Sequence, residues 1–355
     1  MSLMAPLLPL RKLVFVFPGH GGQWSGMGRQ LLKRERLFQL ELERCGEAIR
    51  RQAGWSLLDE LMAGESESRL SEVEVAQPSI FAIQVALAAL WRSWGVEPDA
   101  VTGHSMGEIA AAHVAGALSL EDAARIICRR SRLLKTVSGR GGMAAIGLSI
   151  EQARQALSGY EDRLSIAVNG GPSSSVVSGD LAAIQEMTQA LKRQGVYCQP
   201  VKVDVASHSP QMEPLRDDLL SLLSEIEPRP PSIPIYSTVT GERGDELIFD
   251  ALYWMRNLRD PVLFSTATQR LAEDGHNIFL EIGPHPILST PIQHILQHLG
   301  HNAITLPSLR QGEDDCAVMG GSLGALNTSG CSIHRRKLSP DAGQSAINDY
   351  DGEAL

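Results

Sequence analysis

Near its start the chain carries five consecutive apolar residues, Leu13-Val14-Phe15-Val16-Phe17, stopped at once by Pro18-Gly19. An unbroken apolar run of this length has no polar face to give to water. A strand made of it is buried on both sides, as in parallel sheets covered by helices on each face. Ala100-Val101-Thr102, a strand near Ile235 and Asn277–Glu281, halted by Gly283-Pro284, fit the same sheet. Between them the pattern predicts a long apolar helix from Gln77 to Trp94, punctuated by Gly95 and Pro98. A second helix is expected over Ser119–Leu134, with Ser119 and Asp122 placed like a capping box. The fold class is α/β.

The segment from Gly142 to Val205 has a rhythm of its own. Strands are expected over Met143–Leu148, Leu164–Asn169, Ser174–Ser178 and Cys198–Val205, with helices over Ser149–Leu157 and Leu181–Gln194. Strand-helix-strand-strand-helix-strand is the ferredoxin-like order. The expected organisation is a large subdomain over 11–140 and 206–310, a small ferredoxin-like insert over 141–205, and a linker with a loose tail over 311–355. The pattern weakens after Leu309.

Composition narrows the function. The chain has 355 residues, 43% apolar and 21% charged, enough to bury a core, and a net charge of −9 that argues against a phosphate-tracking nucleic-acid surface. No apolar stretch is expected to reach the ~18–20 residues of a membrane span. The leader Met1–Leu10 is broken by Pro6 and Pro9 and lacks a basic start, so it does not read as a signal peptide. The five cysteines are scattered and form no C-x-x-C pair. They read as reduced thiols, and the expected compartment is the cytoplasm.

Gly103-His104-Ser105-Met106-Gly107 fits G-x-S-x-G, the nucleophile elbow, with a strand expected before it and a small-residue helix after it. The turn is tight, so small residues must flank the serine. The next backbone N–H then sits at a helix N-terminus, ready to hold an oxyanion. A serine needs a base, and His208 follows the end of an expected strand, where sites are built. A hydrolase-type triad calls for an acid between Ser105 and His208, for which Asp180 and Asp204 are available. A pair whose histidine is held by something other than a carboxylate fits as well.

Arg130 falls in the middle of the apolar stripe Ala123, Ile126, Ile127 and Leu134, while Arg125 and Arg132 fall on the opposite face. A guanidinium aimed inward must meet an anion or many acceptors. Two readings stand: a buried pairing with a structural carboxylate, or a clamp on a substrate carboxylate. Gly19-His20-Gly21-Gly22 resembles a nucleotide loop but lacks Gly-Lys-Ser/Thr. His294, His298 and His301 share a helix face without H-E-x-x-H, which reads as a solvated face and no metal site. Arg335-Arg336-Lys337 reads as a surface patch.

Together these residues resemble the malonyl-type acyltransferases that load acyl carrier proteins, and most closely the acyltransferase domains of modular polyketide synthases. The resemblance runs from about Leu13 to Leu309. It rests on Phe17–Trp24, Gln77-Pro78, Gly103–Glu108, Arg130, Val205–His208, Asn257–Val262, Glu281–Pro286 and Leu306–Arg310. It implies an α/β-hydrolase-like large subdomain, Ser105 as nucleophile and His208 as base. It implies an oxyanion hole from the N–H groups of His20 and Met106, Arg130 on the free carboxylate, and Gln77 lining the pocket. It implies a backbone carbonyl at Asn257 holding the histidine. Acyl-CoA is then the donor, the phosphopantetheine of an acyl carrier protein the acceptor, and other synthase domains are possible partners. No bound cofactor, nucleic acid or membrane is implied. Arg125, Arg129 and Arg132 are candidates for docking the acidic carrier.

Two departures from the family pattern stand out: the first, at a residue whose backbone N–H the family uses, leaves the chemistry expected to survive, and the second bears on specificity. Most relatives have glutamine at His20. Relatives that choose malonyl tend to read His-Ala-Phe-His where this chain reads Val205-Ala206-Ser207-His208, and those that choose methylmalonyl tend to read Tyr-Ala-Ser-His. Ser207 and Val205 leave space at the α-carbon, so the expected unit is methylmalonyl or larger. Rival readings are an acyl hydrolase, a carrier-to-carrier transferase and a non-catalytic docking module of a synthase.

Overall fold

The computed structural model describes residues 11–331 and 333. The leader Met1–Leu10 and the basic run Arg335–Lys337 lie outside the described residues. Among the described residues, nine strands form two sheets. A parallel sheet holds β1 (Lys12–Phe17), β2 (Ala100–Gly103), β7 (Ile235–Tyr236), β8 (His276–Glu281) and β9 (Ile304–Pro307), in the order β7-β2-β1-β8-β9. The apolar run of β1 is its centre, with Phe15 beside Val101 on one flank and Leu280 on the other. Its side chains alternate as a strand requires. Leu13, Phe15 and Phe17 enter the larger core, while Val14 and Val16 enter a second core on the opposite face.

The long helix Val73–Ser93 lies in the larger core. It begins four residues before the expected start at Gln77, with Pro78 inside it, where the missing N–H leaves one helical bond unmade. By length and composition it is apolar enough to cross a membrane, which corrects the expectation that no stretch reaches that length. In this fold 83% of its apolar window is buried in protein.

The second sheet holds β3 (Gly142–Ile146), β4 (Leu164–Gly171), β5 (Ser174–Gly179) and β6 (Cys198–Pro200) in the order β4-β5-β3-β6, all antiparallel. With helices Ile150–Ala156 and Leu181–Arg193 this is the ferredoxin-like arrangement, closed around its own core of Ala144, Ile146, Val177, Ile184 and Leu191. Strand β6 ends at Pro200, well short of the expected Val205, because the chain must leave the small sheet to deliver His208 to the large one. The two units are stitched by Val262 N–H to Ala167 O (2.8 Å) and Asn169 N–H to Val262 O (3.0 Å).

After Leu309 the chain is not a plain linker. Asp314 caps a helix, Asp315–Thr328, whose Met319 and Leu326 are fully buried and whose Ser322 donates to Pro307 O (2.7 Å). Its alternation of glycine with apolar residues hides the helical stripe from sequence inspection.

Candidate active site

Strand β2 ends at Gly103, and the helix Gly107–Val114 starts four residues later. Ser105 sits between them at φ 52°, a left-handed conformation that costs a non-glycine residue energy and aims its side chain out of the turn. The flanking glycines are obligatory for a steric reason. A Cβ on Gly103 would collide with the backbone nitrogen of Glu108, and one on Gly107 with the carbonyl of Phe17.

Ser105 Oγ lies 2.8 Å from His208 Nε2. His208 is also left-handed, at φ 60°, and only 3% exposed. Its Nδ1 lies 2.9 Å from the carbonyl of Asp260, which can only accept, so Nδ1 carries the proton and Nε2 is free to accept from the serine hydroxyl. Burial, then the charge of Arg130, push the His208 pKa down to about 3 and keep the ring neutral. Neither acid available in sequence serves it: Asp180 caps the helix Leu181–Arg193, and Asp204 accepts from Ser138.

The carbonyl that holds the histidine corrects the expectation of Asn257. Asp260 is the residue where the helix Ala251–Arg259 ends, in extended backbone, and its carbonyl swings off the helix axis toward the ring. Carbonyls within the last turn keep the axial direction, and that of Leu258 takes the His208 backbone N–H (2.9 Å). Asn257 contributes its side chain instead. Its Nδ2 donates to Ser105 O (3.1 Å) and to Glu108 Oε2 (2.8 Å).

Glu108, to which the sequence pattern assigns no role, organises the floor of the elbow. It is 1% exposed and accepts from Asn257, Tyr253 Oη (2.9 Å), Thr238 Oγ1 (3.0 Å) and Thr238 N–H. Burial raises its pKa to about 7 against these donors, which favour the charged form. The signal was the acidic residue right after the elbow glycine in an otherwise small, apolar helix.

Arg130 is 2% exposed in the helix Leu120–Thr136, capped by Ser119 Oγ on the Asp122 N–H (3.0 Å). Its Nη1 donates to Gln77 Oε1 (2.8 Å) and its Nη2 to Ser105 Oγ (3.3 Å). Its Nε is buried without a partner. Among the described residues it forms no ion pair, so the structural-carboxylate reading has no partner to support it. Burial lowers its pKa to about 10, which leaves it charged at neutral pH. Arg125, by contrast, is half-buried and paired with Glu225 at 2.9 Å, and Arg129 is half-buried; Arg132 is exposed.

Met106 follows the serine, and His20 lies in the loop after β1. Among the described residues no acceptor takes the backbone N–H of either. Val205 and Ser207 are buried on the approach to His208, at 4% and 9% exposure, and no hydrogen bond ties them to Ser105 or Arg130. His294, His298 and His301 lie exposed. Glu281, at the end of β8, accepts the N–H groups of Ile287 (2.7 Å), Leu288 and Ser289 (both 2.9 Å), which folds the Gly283–Pro286 turn under the His20 loop.

A left-handed serine on a strand-to-helix turn, bonded to a buried neutral histidine, is the geometry of a serine nucleophile on an α/β scaffold. The family model described as "Acyl transferase domain" matches residues 14–332, and the chain belongs to that family. It is 48% identical over 321 residues to the spectinabilin polyketide synthase system protein NorC of Streptomyces orinoci, covering 90% of this chain and 14% of that protein's length. The acyltransferase domain from module 8 of the salinomycin polyketide synthase superposes with a TM-score of 0.88 at 42% identity, covering 91% of this chain and 76% of that one. The acyl transferase domain of SpnD, in complex with 2-(pent-4-yn-1-yl)malonyl, gives 0.83 at 28% identity, with 91% and 77% covered. The fold is therefore that of polyketide synthase acyltransferase domains.

Proposed function

We propose that this acyltransferase domain moves a malonyl-type unit from coenzyme A, by way of an ester on Ser105, to the phosphopantetheine thiol of an acyl carrier protein in a polyketide synthase. The observation that carries the reading is Arg130: a buried, charged guanidinium without a carboxylate partner among the described residues, touching the nucleophile itself. A protein keeps such a group when an incoming anion completes it.

His208 Nε2 takes the Ser105 proton as Oγ attacks the thioester carbonyl. The oxyanion is held by the N–H groups of His20 and Met106. The proton on His208 passes to the departing coenzyme A thiolate, and the carrier thiol then repeats the sequence on the serine ester. Arg130 holds the free carboxylate and orients the ester. A neutral histidine anchored by a carbonyl needs no triad acid.

The unit is methylmalonyl or a larger α-substituted malonyl. Support comes from the small Ser207 and Val205 ahead of His208, and from the substituted malonyl group held by the similar SpnD domain. Brief incubation with malonyl-, methylmalonyl- and ethylmalonyl-CoA in competition, read by intact-protein mass, tests it. An adduct absent from Ser105→Ala and heavier than malonyl is expected. No adduct at all, without free acid in solution, would sink the coenzyme A donor. Comparable kcat/KM for malonyl- and methylmalonyl-CoA would remove the substituted unit alone.

A further inference from the structure

The peptide unit between Ser105 and Met106 has one free end and one held end. The Met106 N–H meets no acceptor among the described residues. Ser105 O, at the other end, accepts the Glu108 backbone N–H at 3.0 Å and Asn257 Nδ2 at 3.1 Å. A carbonyl can only accept, so the amide nitrogen of Asn257 must be the atom that faces it. The second hydrogen of that Nδ2 goes to Glu108 Oε2 at 2.8 Å. Glu108 thus holds Ser105 O twice, directly through its backbone and, by its side chain, through Asn257. Its other oxygen, Oε1, meets Thr238, whose Oγ1 lies 3.0 Å from it and 2.9 Å from Gly103 O, the last carbonyl of strand β2. The holders of the carbonyls on either side of His104 therefore converge on one buried carboxylate, which Tyr253 Oη steadies from 2.9 Å.

A peptide bond is planar, and in the trans form its N–H and C=O point opposite ways. The described peptide bonds are all trans. Two donors fixed on Ser105 O thus fix the direction of the Met106 N–H. They also polarise it, since hydrogen bonds in a chain strengthen one another. We propose that Glu108 is a positioning residue of the oxyanion hole, setting the direction and strength of the Met106 N–H through Asn257. This rests on the reading above in which that N–H holds the oxyanion. Glu108 acts through other groups, and no covalent bond is made or broken at it.

Acetylation of Ser105 by p-nitrophenyl acetate tests this in the intact protein, because that donor carries neither coenzyme A nor a free carboxylate. Ser105 Oγ takes the acetyl group, p-nitrophenolate leaves and is read by its absorbance, and Ser105→Ala gives the background. In Glu108→Gln the maximal rate should fall about tenfold with half-saturation shifted less than about twofold, since losing an oxyanion donor outright costs about a hundredfold or more. A similar fall is expected in Asn257→Ala. Adding Glu108→Gln to it should slow acetylation less than about twofold further, because residues acting along one path are not additive. The infrared band of a carbon-13 labelled acetyl carbonyl on Ser105 should lie higher in each variant than in wild type, as its hydrogen bonds weaken. If Glu108→Gln does not fold, Tyr253→Phe, which removes one donor from Glu108, takes its place, with a fall of about two- to tenfold and the same infrared shift.

Additive losses in the double variant, or a carbonyl band that stays at the wild-type frequency, would mean that Glu108 only supports the fold and would overturn the inference. Acetylation of Glu108→Gln at the wild-type rate would overturn it as well. Wild-type protein that acetylates Ser105 but takes no malonyl-type unit would sink the proposed donor and leave this inference standing; no acetylation of Ser105 at all would take down both.

Discussion

Ser105 and His208 are both held in left-handed backbone by the end of one helix. Leu258 and Asp260 supply the carbonyls for His208, and Asn257 supplies the amide for Ser105. The alignment of Ser105 with His208 thus depends on three residues at the end of that helix. Asn257→Ala removes the bonds to Ser105 O and to buried Glu108. We expect a loss of about 1–3 kcal/mol in stability and a lower kcat with little change in KM. Thermal denaturation and steady-state kinetics read the two effects. The pH dependence of acylation follows from His208. With its pKa held near 3 by burial and the charge of Arg130, the ring is already neutral at pH 5, so on the proposed mechanism single-turnover acylation should vary little from pH 8 to 5. A rate falling with a midpoint near 6.5 would show the ring exposed. Ser105, His208 and Arg130 were legible in sequence because their residue types break local patterns: a serine between glycines, an arginine in an apolar stripe. Asp260 was not, because a backbone carbonyl has no residue signature.

The elements themselves were read from period and punctuation. The centre of the sheet and the ferredoxin-like order follow from apolar runs and turn residues. Strand β9 and the helix Asp315–Thr328 escaped, the first half-buried and short, the second rich in glycine. The elbow is the most constrained junction. Gly107→Ala would press a methyl group onto the Phe17 carbonyl, which belongs to the central strand and cannot yield. The expected cost is ~3 kcal/mol or more, measured by chemical denaturation, with loss of acylation. Truncation after Asp314 should lower the melting temperature, since Met319 and Leu326 leave the core uncovered.

Across the whole molecule, buried and half-buried histidines link folding to pH. His20 and His104 are lowered to about 4 and His208 to about 3, against 6.5 when exposed. As pH falls below 6.5 the unfolded chain takes up protons that the native state refuses, so stability declines until the native pKa values are reached. Glu108 acts oppositely. Raised to about 7 from 4.5, it favours the native state at low pH and loses that contribution as pH rises through 7. The histidines outnumber it. Stability should fall on the order of 1–3 kcal/mol per pH unit between pH 6.5 and 4.5, as seen in urea midpoints. A midpoint independent of pH there would mean the site is hydrated.

The central claim is that a buried arginine selects a carboxylated acyl group for Ser105. The most direct measurement exposes the protein briefly to an equimolar mixture of methylmalonyl-CoA and propionyl-CoA and weighs the adduct, for wild type and Arg130→Leu. The wild type should carry the methylmalonyl group almost alone, and Arg130→Leu should lose that preference and carry mainly propionyl. Wild-type protein that takes both equally, or a variant that keeps the methylmalonyl preference, would contradict the account.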